Sequence, residues 1–249
     1  VPVQAFRYSG PGTYQELGTL AGDNSSQAFG VSADGSVVVG KSYLYQQNIE
    51  FGSRAFRWTA EGGMQPLTNL FSRANAVSAD GNTIAGEMRD ATGINAFRWT
   101  AAGGFQVLPR LAGTDQEASA AAASPDGNIV VGYSGEYSAI WRNGSVAALT
   151  SPIQFARSRA LGLSADGSVV VGRIGLPTTG FAGVWTAPTG FIALSDYLAS
   201  HGVTIPAGVK LEYCTAVSAD GTTFVGYTSG SVSQGFVATI PAPASALLL

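Results

Sequence analysis

The stretch Val31-Ser32-Ala33-Asp34-Gly35-Ser36-Val37-Val38-Val39-Gly40 decides the fold of this chain. Its Ser-(Ala/Pro)-Asp-Gly core returns four more times, beginning at Ser78, Ser124, Ser164 and Ser218. An Asp-Gly pair favours a tight turn, because Gly tolerates positive φ and Asp bonds nearby backbone amides. The apolar, β-branched run that follows each copy is typical of a buried strand. Each copy therefore predicts a hairpin, whose two strands we name A and B.

A second hairpin alternates with the first along the chain. It reads Ala55-Phe56-Arg57-Trp58, followed by a Gly-rich turn and a short apolar run. Similar runs begin at Ala5 and Ala96, and weaker copies contain Trp141 and Trp185. These strands, C and D, complete a unit of four antiparallel strands that recurs every 40 to 54 residues. Such a repeat predicts an all-β chain whose units are the blades of a β-propeller.

The number of hairpins predicts the number of blades. Five A–B hairpins favour five blades, and six is the alternative, which would need a further hairpin. Residues 1–17 carry C and D strands, whereas residues 213–240 carry A, B and a C-like strand. We therefore expect the N- and C-terminal strands to close the ring, with one C-type strand left over. Residues 1–240 are predicted to form a single domain, followed by a Pro/Ala-rich tail at 241–249.

The residues that carry these strands resemble a known repeat. From Ala5 to Gly40 the chain reads Ala-Phe-Arg-Tyr, then Glu-Leu-Gly-Thr-Leu-Ala-Gly, then Ala-Phe-Gly-Val-Ser. This pattern resembles the HAF-family extracellular repeat, and the resemblance extends over residues 5–240. The family often has His at its first position, where this chain has Gln4, Arg54 or Asn95. The Asp-Gly hairpin also resembles the repeat of the Tol-system periplasmic propeller. Neither resemblance implies catalytic residues, because the motifs look structural.

The C-terminal residues Ile240–Leu249 resemble the start of a PEP-CTERM sorting tail, with Ala242 where that tail usually has Glu. The resemblance implies an extracellular or outer-surface location in a Gram-negative bacterium, with the periplasm as the alternative. The apolar segment and basic end of such a tail are missing here. Membrane association is therefore expected only through that missing anchor.

Composition excludes several classes of partner and cofactor. Charged residues make up 12% of the chain and the net charge is −3, so no basic face for nucleic acid is expected. His201 and Cys214 are the only residues of their types, which argues against a zinc site. Cys214 is predicted to be a small buried residue on strand A. We expect no cofactor, no metal and a monomeric protein.

Two sets of connections differ in composition and predict where function lies. The A–B and C–D turns are short and repetitive, and their Asp residues are predicted to bond turn amides. The B–C and D–A connections are longer and irregular, and binding residues concentrate on such loops. The candidate binding residues, all aromatic or charged and all on this second face, are Tyr43, Tyr45, Arg89, Asp115, Glu117, Glu136, Tyr137 and Tyr213.

Three functions remain open at this stage. The first is a non-catalytic binding or matrix protein, whose partner is an extracellular polysaccharide or another surface protein. The second is a glycan hydrolase or lyase that uses loop carboxylates at the channel mouth, because glycoside hydrolysis needs two carboxyl groups roughly 5–9.5 Å apart. The third is a purely structural scaffold. The carboxylates considered for the second are Asp90, Asp115, Glu117, Glu136 and Glu212.

Overall fold

The computed structural model describes residues 2–114, 117–153, 157–175, 179–230 and 232–241. Antiparallel strands account for most of these residues, so the all-β prediction is confirmed. The chain divides into two compact units, 1–148 and 149–249. One domain over residues 1–240 therefore stays a prediction.

The described residues of the first unit form one two-stranded sheet and three four-stranded sheets, each paired in chain order. The two-stranded sheet is β1–β2, and blades one, two and three are β3–β6, β7–β10 and β11–β14. The bounds are β1 Phe6–Tyr8, β2 Tyr14–Glu16, β3 Ser25–Val31, β4 Val37–Gln46, β5 Ile49–Thr59, β6 Gly63–Pro66, β7 Ser72–Val77, β8 Thr83–Asp90, β9 Gly93–Thr100, β10 Gly104–Val107, β11 Ala118–Ala123, β12 Ile129–Ser134, β13 Tyr137–Arg142 and β14 Ser145–Ala148.

The described residues of the second unit form blade four, β15–β18, and the three-stranded blade five, β19–β21. The bounds are β15 Ser158–Leu163, β16 Val169–Ile174, β17 Phe181–Thr186, β18 Gly190–Ala193, α1 Leu194–Ser200, β19 Lys210–Val217, β20 Thr223–Ser229 and β21 Gly235–Thr239. In both units the strands of each four-stranded blade follow the predicted order A, B, C and D.

The sheet β1–β2 packs against blade one in the same way as blade one packs against blade two. The Arg7 guanidinium lies 6.0 Å from the centre of the Trp58 ring, and Arg57 lies 6.0 Å from the centre of the Trp99 ring. The buried side chain of Leu17 belongs to the same apolar cluster as Trp58. β1 and β2 therefore occupy the C and D positions of a sheet that precedes blade one. In blade five, β21 pairs with β20 and occupies the C position. Ring closure and the blade number stay predictions.

The repeated Asp-Gly turn is held by its own side chains. The Ser32 hydroxyl donates to Oδ1 of Asp34 (2.7 Å) and accepts the amide of Val37 (2.9 Å). Asp34 also accepts the amide of Ser36 at 2.9 Å. These hydrogen bonds from the Ser36 amide and the Ser32 and Ser36 hydroxyls lower the pKa of Asp34 to about 2. The prediction that the repeated Asp residues bond turn amides is confirmed.

Neighbouring turns are also joined to each other, which the sequence did not reveal. The amide of Ala33 donates to the carbonyl of Ala79, and the amide of Ala79 donates to that of Pro125, both at 2.9 Å. In the second unit the amide of Ala165 donates to the carbonyl of Ala219 at 2.9 Å. The residue between Ser and Asp therefore links one blade to the next through its backbone, and Pro125 takes part only as an acceptor because proline has no amide N–H.

A bulge in every A strand explains the glycine that ends the Val-rich run. In blade four the register shifts between Ala160 and Gly162. A β-carbon at Gly172 on the facing strand would overlap the carbonyl oxygen of Arg159, and one at Gly86 would overlap that of Arg73. Only glycine fits at this position, because its neighbour is backbone and cannot turn away.

The short helix α1 corrects one detail of the sequence expectation. Residues 195–202 predict a short helix capped by Ser195 or Asp196 and stopped by Gly202. The observed helix begins instead at Leu194, because Leu194 and Leu198 are buried, and Ala193 at the N-cap makes no side-chain bond. The helix ends at Ser200, and Gly202 lies just beyond it with φ of +77°, its amide donating to the carbonyl of Ala199, as expected for a residue that stops a helix. No helix among the described residues is long and apolar enough to cross a membrane.

Cys214 lies inside the second unit, within the apolar cluster that joins blades four and five. Burial raises the pKa of its thiol to about 12. The thiol is therefore protonated at neutral pH and unreactive, as predicted for a small buried residue.

Candidate functional site

The two tyrosines on the β4–β5 hairpin of blade one differ in exposure. Tyr43 is only 5% exposed, and burial raises the pKa of its phenol. Its ring is covered by the blade and is not a surface on which a sugar can stack, which corrects the sequence expectation. Tyr45 is half-buried, and its hydroxyl lies 3.3 Å from Oδ1 of Asn48.

Three of the candidate residues come together at one end of blade three. The carbonyl of Glu117 accepts the amide of Gly135 (2.9 Å), beside Glu136 and Tyr137 in the β12–β13 turn. Tyr137 is 51% exposed, so its ring is available to a ligand. Arg89 is exposed at the end of β8 in blade two, and Asp115 lies outside the described residues.

The loop carboxylate Asp90 does not suit acid catalysis. The hydroxyl of Thr92 donates to it at 2.6 Å and the Thr92 amide at 2.7 Å, and these bonds lower its pKa. A general acid needs a raised pKa, so Asp90 is a turn residue held in its ionised form. Within the described ranges, no group of three or more His, Cys, Asp or Glu residues is placed to hold a metal ion.

Each blade has one pair of directly opposed residues on strands A and B whose identity changes from blade to blade, whereas the glycine and the bulge beside the pair recur. The B-strand member of this pair directly follows the glycine of the Val-rich run, and its partner lies opposite on strand A just before the bulge. We call this the variable pair. From blade one to blade five its members are Gln27 and Lys41, Arg73 and Glu87, Ser119 and Tyr133, Arg159 and Arg173, and Tyr213 and Tyr227.

The variable pair of blade four brings two positive charges together. Arg159 lies directly opposite Arg173 in the β15–β16 ladder. Like charges at directly opposed positions destabilise a sheet, whereas opposite charges stabilise it. Blade two has the stabilising arrangement, because Nε of Arg73 lies 3.6 Å from Oε1 of Glu87.

A cavity of about 220 Å³ in the second unit is lined by these arginines. The described residues that line it are Arg157, Ser158, Arg159, Arg173, Gly175 and Tyr213. Three of these six carry guanidinium groups, and none of the six is acidic. The cavity therefore has a strongly positive wall, although the whole chain has a net charge of −3.

Tyr213 of blade five is the aromatic residue that lines this cavity, and Tyr227 stacks on it. The rings of Tyr213 and Tyr227 are stacked, with centroids 4.7 Å apart and planes 21° from parallel. The guanidinium of Arg173 lies 5.0 Å from the centre of the Tyr213 ring. Burial, assisted by nearby Tyr213 and Glu212, raises the pKa of Tyr227, so this phenol is neutral at physiological pH.

A larger cavity of about 670 Å³ also lies in the second unit and shares Arg173 with the first. Among its lining residues are Phe181, Lys210 and two carboxylates, Asp196 at the start of α1 and Glu212 on β19. Glu212 was considered from the sequence as a loop carboxylate, but Asp196 was not. The structure thus brings two carboxylates to one cavity, together with two cationic side chains.

The arginine-lined cavity was only partly foreseen from the sequence. Tyr213 is the one candidate residue that lines it, whereas Arg157, Arg159 and Arg173 were not singled out. A usable signal was present, because Arg173 directly follows the glycine of its repeat. Its opposition to Arg159 depends on the strand register, which the sequence does not state.

No protein-family model matches the sequence, and no curated protein matches it. Solved structures do match. TolB from Acinetobacter baumannii is 14% identical with a TM-score of 0.53, over 92% of this chain and 55% of that one, so the chain spans about half of that protein. Putative TolB from Agrobacterium tumefaciens is 15% identical with a TM-score of 0.58, over 95% and 83% of the two chains.

A third solved structure extends the likeness to another kind of protein. The β-propeller domain of the Trilobed protease from Pyrococcus furiosus is 11% identical with a TM-score of 0.51, over 85% of this chain and 69% of that domain. Identities at this level show the fold and nothing finer. The chain is therefore an all-β protein with the β-propeller fold.

Proposed function

We propose that this protein is a non-catalytic binding protein of the bacterial cell envelope or surface that recognises an extracellular polysaccharide. The observation that carries the proposal is the arginine-lined cavity beside the stacked rings of Tyr213 and Tyr227. Sugars bind to proteins through flat aromatic faces combined with a few directional polar groups, and ligand sites usually combine apolar walls with such groups. Both are present here.

The turn positions are constant and the variable pair is not, and this contrast supports a binding role. The Ser and Asp side chains of the turns are engaged in internal hydrogen bonds, for example from Ser164 to Asp166 at 2.7 Å. The variable pair differs in every blade, although the glycine beside it is constant. A rigid repeat that varies at one position is suited to specific recognition, because the scaffold tolerates change there.

The location and partners of the protein belong to the same proposal. The HAF-like repeat and the PEP-CTERM-like tail favour the outer surface of a Gram-negative bacterium, and the Tol-like turn keeps the periplasm as the alternative. The tail from residue 242 onward lies outside the described residues. We expect a monomer that binds no nucleic acid, and another surface protein is the alternative partner.

A glycan array probed with the full chain tests this function. Specific binding of acidic or neutral polysaccharide fragments is expected, with a loss of signal for Tyr213→Ala. Tyr8→Ala is the matched control, because Tyr8 is 62% exposed and lies on β1 in the other unit. An array without any bound glycan would sink the proposal and favour the scaffold or a protein partner.

The larger cavity keeps glycan hydrolysis or lysis as a second candidate. Asp196 and Glu212 both line it, and two carboxylates are the minimum for such chemistry. Any glycan that binds should be incubated with the protein and assayed for new reducing ends and unsaturated products. Turnover abolished by Glu212→Gln and by Asp196→Asn, with binding retained, would establish the enzyme. If the glycan is unchanged after prolonged incubation, hydrolysis is contradicted and binding remains as the proposed function.

A further inference from the structure

Three arginines line the 220 Å³ cavity together. Arg159 and Arg173 are directly opposed in the β15–β16 ladder, and Arg157 directly precedes β15. Blade two instead opposes Arg73 to Glu87 at this position. Several guanidinium groups around one cavity are suited to an oxyanion, whose oxygens they bind through charge-assisted hydrogen bonds.

The Arg173 head group is held in place before any ligand arrives. On one side it faces the Tyr213 ring at 5.0 Å. On the other it lies so close to Gly180 that a β-carbon there would overlap the guanidinium. A guanidinium fixed between an aromatic face and the backbone loses little entropy on binding, and its planar fork matches the two oxygens of an oxyanion.

The neighbouring cavity has a mixed character. Asp196 and Glu212 line it together with Arg173 and Lys210, so the hydroxyl groups of a sugar find carboxylate acceptors there. Arg173 lines both cavities, so they are adjacent and an extended ligand held by Arg173 can contact both. At about 30 Å³ per water molecule, 220 Å³ holds roughly seven waters, which is room for one sugar residue.

We propose that the cavity lined by Arg157, Arg159 and Arg173 binds the oxyanion of an acidic saccharide, and that neighbouring neutral groups of the same chain extend into the larger cavity. This inference rests on the glycan-binding function proposed above and names its ligand class. The shared chemistry is a planar or tetrahedral oxyanion, carried by a uronic acid or by a sulfated sugar. Tyr213, which lines the cavity, is the aromatic contact for the sugar.

Isothermal titration calorimetry on the full chain tests the inference with three ligands. Oligogalacturonide carries a carboxylate on each sugar, and its methyl ester is the matched neutral control. A sulfated oligosaccharide of similar length separates sulfate from carboxylate. Binding of at least one acidic ligand is expected, tenfold or more tighter than that of the methyl ester, and it should weaken as salt rises.

Variants then assign the binding to the cavity. Arg159→Gln and Arg173→Gln are each expected to weaken binding about 10- to 100-fold, as for a lost hydrogen bond to a charged group. Arg73→Gln is the matched control, because it removes the arginine at the same repeat position in blade two and should change affinity less than about twofold. Gly180→Ala keeps every charge but displaces the Arg173 head group, so it should also weaken binding.

The outcomes separate this inference from the function on which it rests. Equal binding of acidic ligand and methyl ester, unaffected by Arg159→Gln and Arg173→Gln, would overturn the oxyanion site but leave glycan binding intact. Free sulfate and galacturonate are titrated in addition. If either binds in a manner that depends on Arg173 while no oligosaccharide binds, the oxyanion site would be supported and the glycan function overturned. An absence of binding to all ligands, with variants that melt like the parent protein, would overturn both.

Discussion

Blades two and four share a framework and differ at the variable pair. Both have the Ser-Ala-Asp-Gly turn, the bulged A strand and the glycine that faces the bulge. In blade two the pair is Arg73 and Glu87, whose charged groups lie 3.6 Å apart. In blade four it is Arg159 and Arg173, which line a cavity together with Arg157. The same backbone position therefore serves as an ion pair in one blade and as a candidate anion site in the other.

This difference distinguishes the positions that the fold of every blade requires from the positions that can change between blades. Turn serine, turn aspartate and strand glycine are engaged by close backbone neighbours, so substitution there costs stability in every blade. The variable pair contacts its cross-strand partner and the adjoining cavity, so substitution there changes charge and recognition. The four predictions below test this separation, in order of decreasing expected effect.

The largest effect is expected at the glycine that both blades share. Gly86→Ala and Gly172→Ala each place a methyl group against a carbonyl oxygen, and each should lower the free energy of unfolding by about 3 kcal/mol. Gly235→Ala is the control, because its nearest neighbour would lie at an ordinary 3.9 Å. Chemical denaturation measures all three. A small effect in one blade only would mean that the two frameworks are not equivalent.

Exchanging the variable pairs should move the charge pattern from one blade to the other. Arg173→Glu recreates the Arg–Glu pair of blade two in blade four and should weaken binding of the acidic saccharide about 100-fold, or about 2.7 kcal/mol. Glu87→Arg recreates the Arg–Arg pair in blade two and should lower stability by up to about 1 kcal/mol. Calorimetry and denaturation measure the two effects. Full affinity in Arg173→Glu would contradict the role of this pair.

A smaller loss of stability, equal in blades two and four, is expected when the turn serines are replaced. Ser78 and Ser164 are buried, and each accepts a backbone amide and donates to its aspartate. Ser78→Ala and Ser164→Ala should each cost about 1–2 kcal/mol, since the amide of Thr83 or Val169 loses this acceptor. Ser145→Ala at an exposed position is the control. Unequal costs, measured by denaturation, would show that the turns are not interchangeable.

The smallest effect is expected on the way stability depends on pH in acid. Hydrogen bonds from the Ser168 amide and the Ser164 and Ser168 hydroxyls lower the pKa of Asp166 from its ordinary value of 3.8 to about 2. A lowered pKa means that the ionised form favours folding, so this contribution is complete above pH 3.8 and is lost as pH falls toward 2. The difference in melting temperature between the parent and Asp166→Asn should shrink over that range. A constant difference would show that the charge is irrelevant.

Much of the fold could be predicted because the same sequence pattern recurs in each blade. The Asp-Gly turns, the four strands of each blade and the Asn143-Gly144 hairpin, with φ of +51° and +78°, all follow from local backbone preferences. The amide-to-carbonyl links between successive turns could not be predicted, because they join backbone atoms and so require no particular side chain. The helix start at Leu194 was mispredicted because packing of apolar side chains outweighed the capping preference of Ser195 and Asp196.

The candidate site was less accessible to sequence reasoning. Tyr43 looked like a loop aromatic, yet it lies on a strand that extends to Gln46 and is buried there. Tyr213, one of the candidate binding residues, lines a cavity, whereas the three arginines beside it were not among those candidates. Loop composition indicates which face carries variation, but it does not indicate which side chains share one cavity.

By itself, the sequence determined the β-propeller fold, the blade repeat, the structural role of the turn aspartates and the burial of Cys214. Those properties depend on interactions between residues close in the chain or on the apolar character of one side chain. Only the tertiary structure decided that Arg159 faces Arg173, that Arg173 lies between Tyr213 and Gly180, and that Asp196 and Glu212 share a cavity. These depend on strand register and on packing between blades, which bring together residues far apart in the sequence.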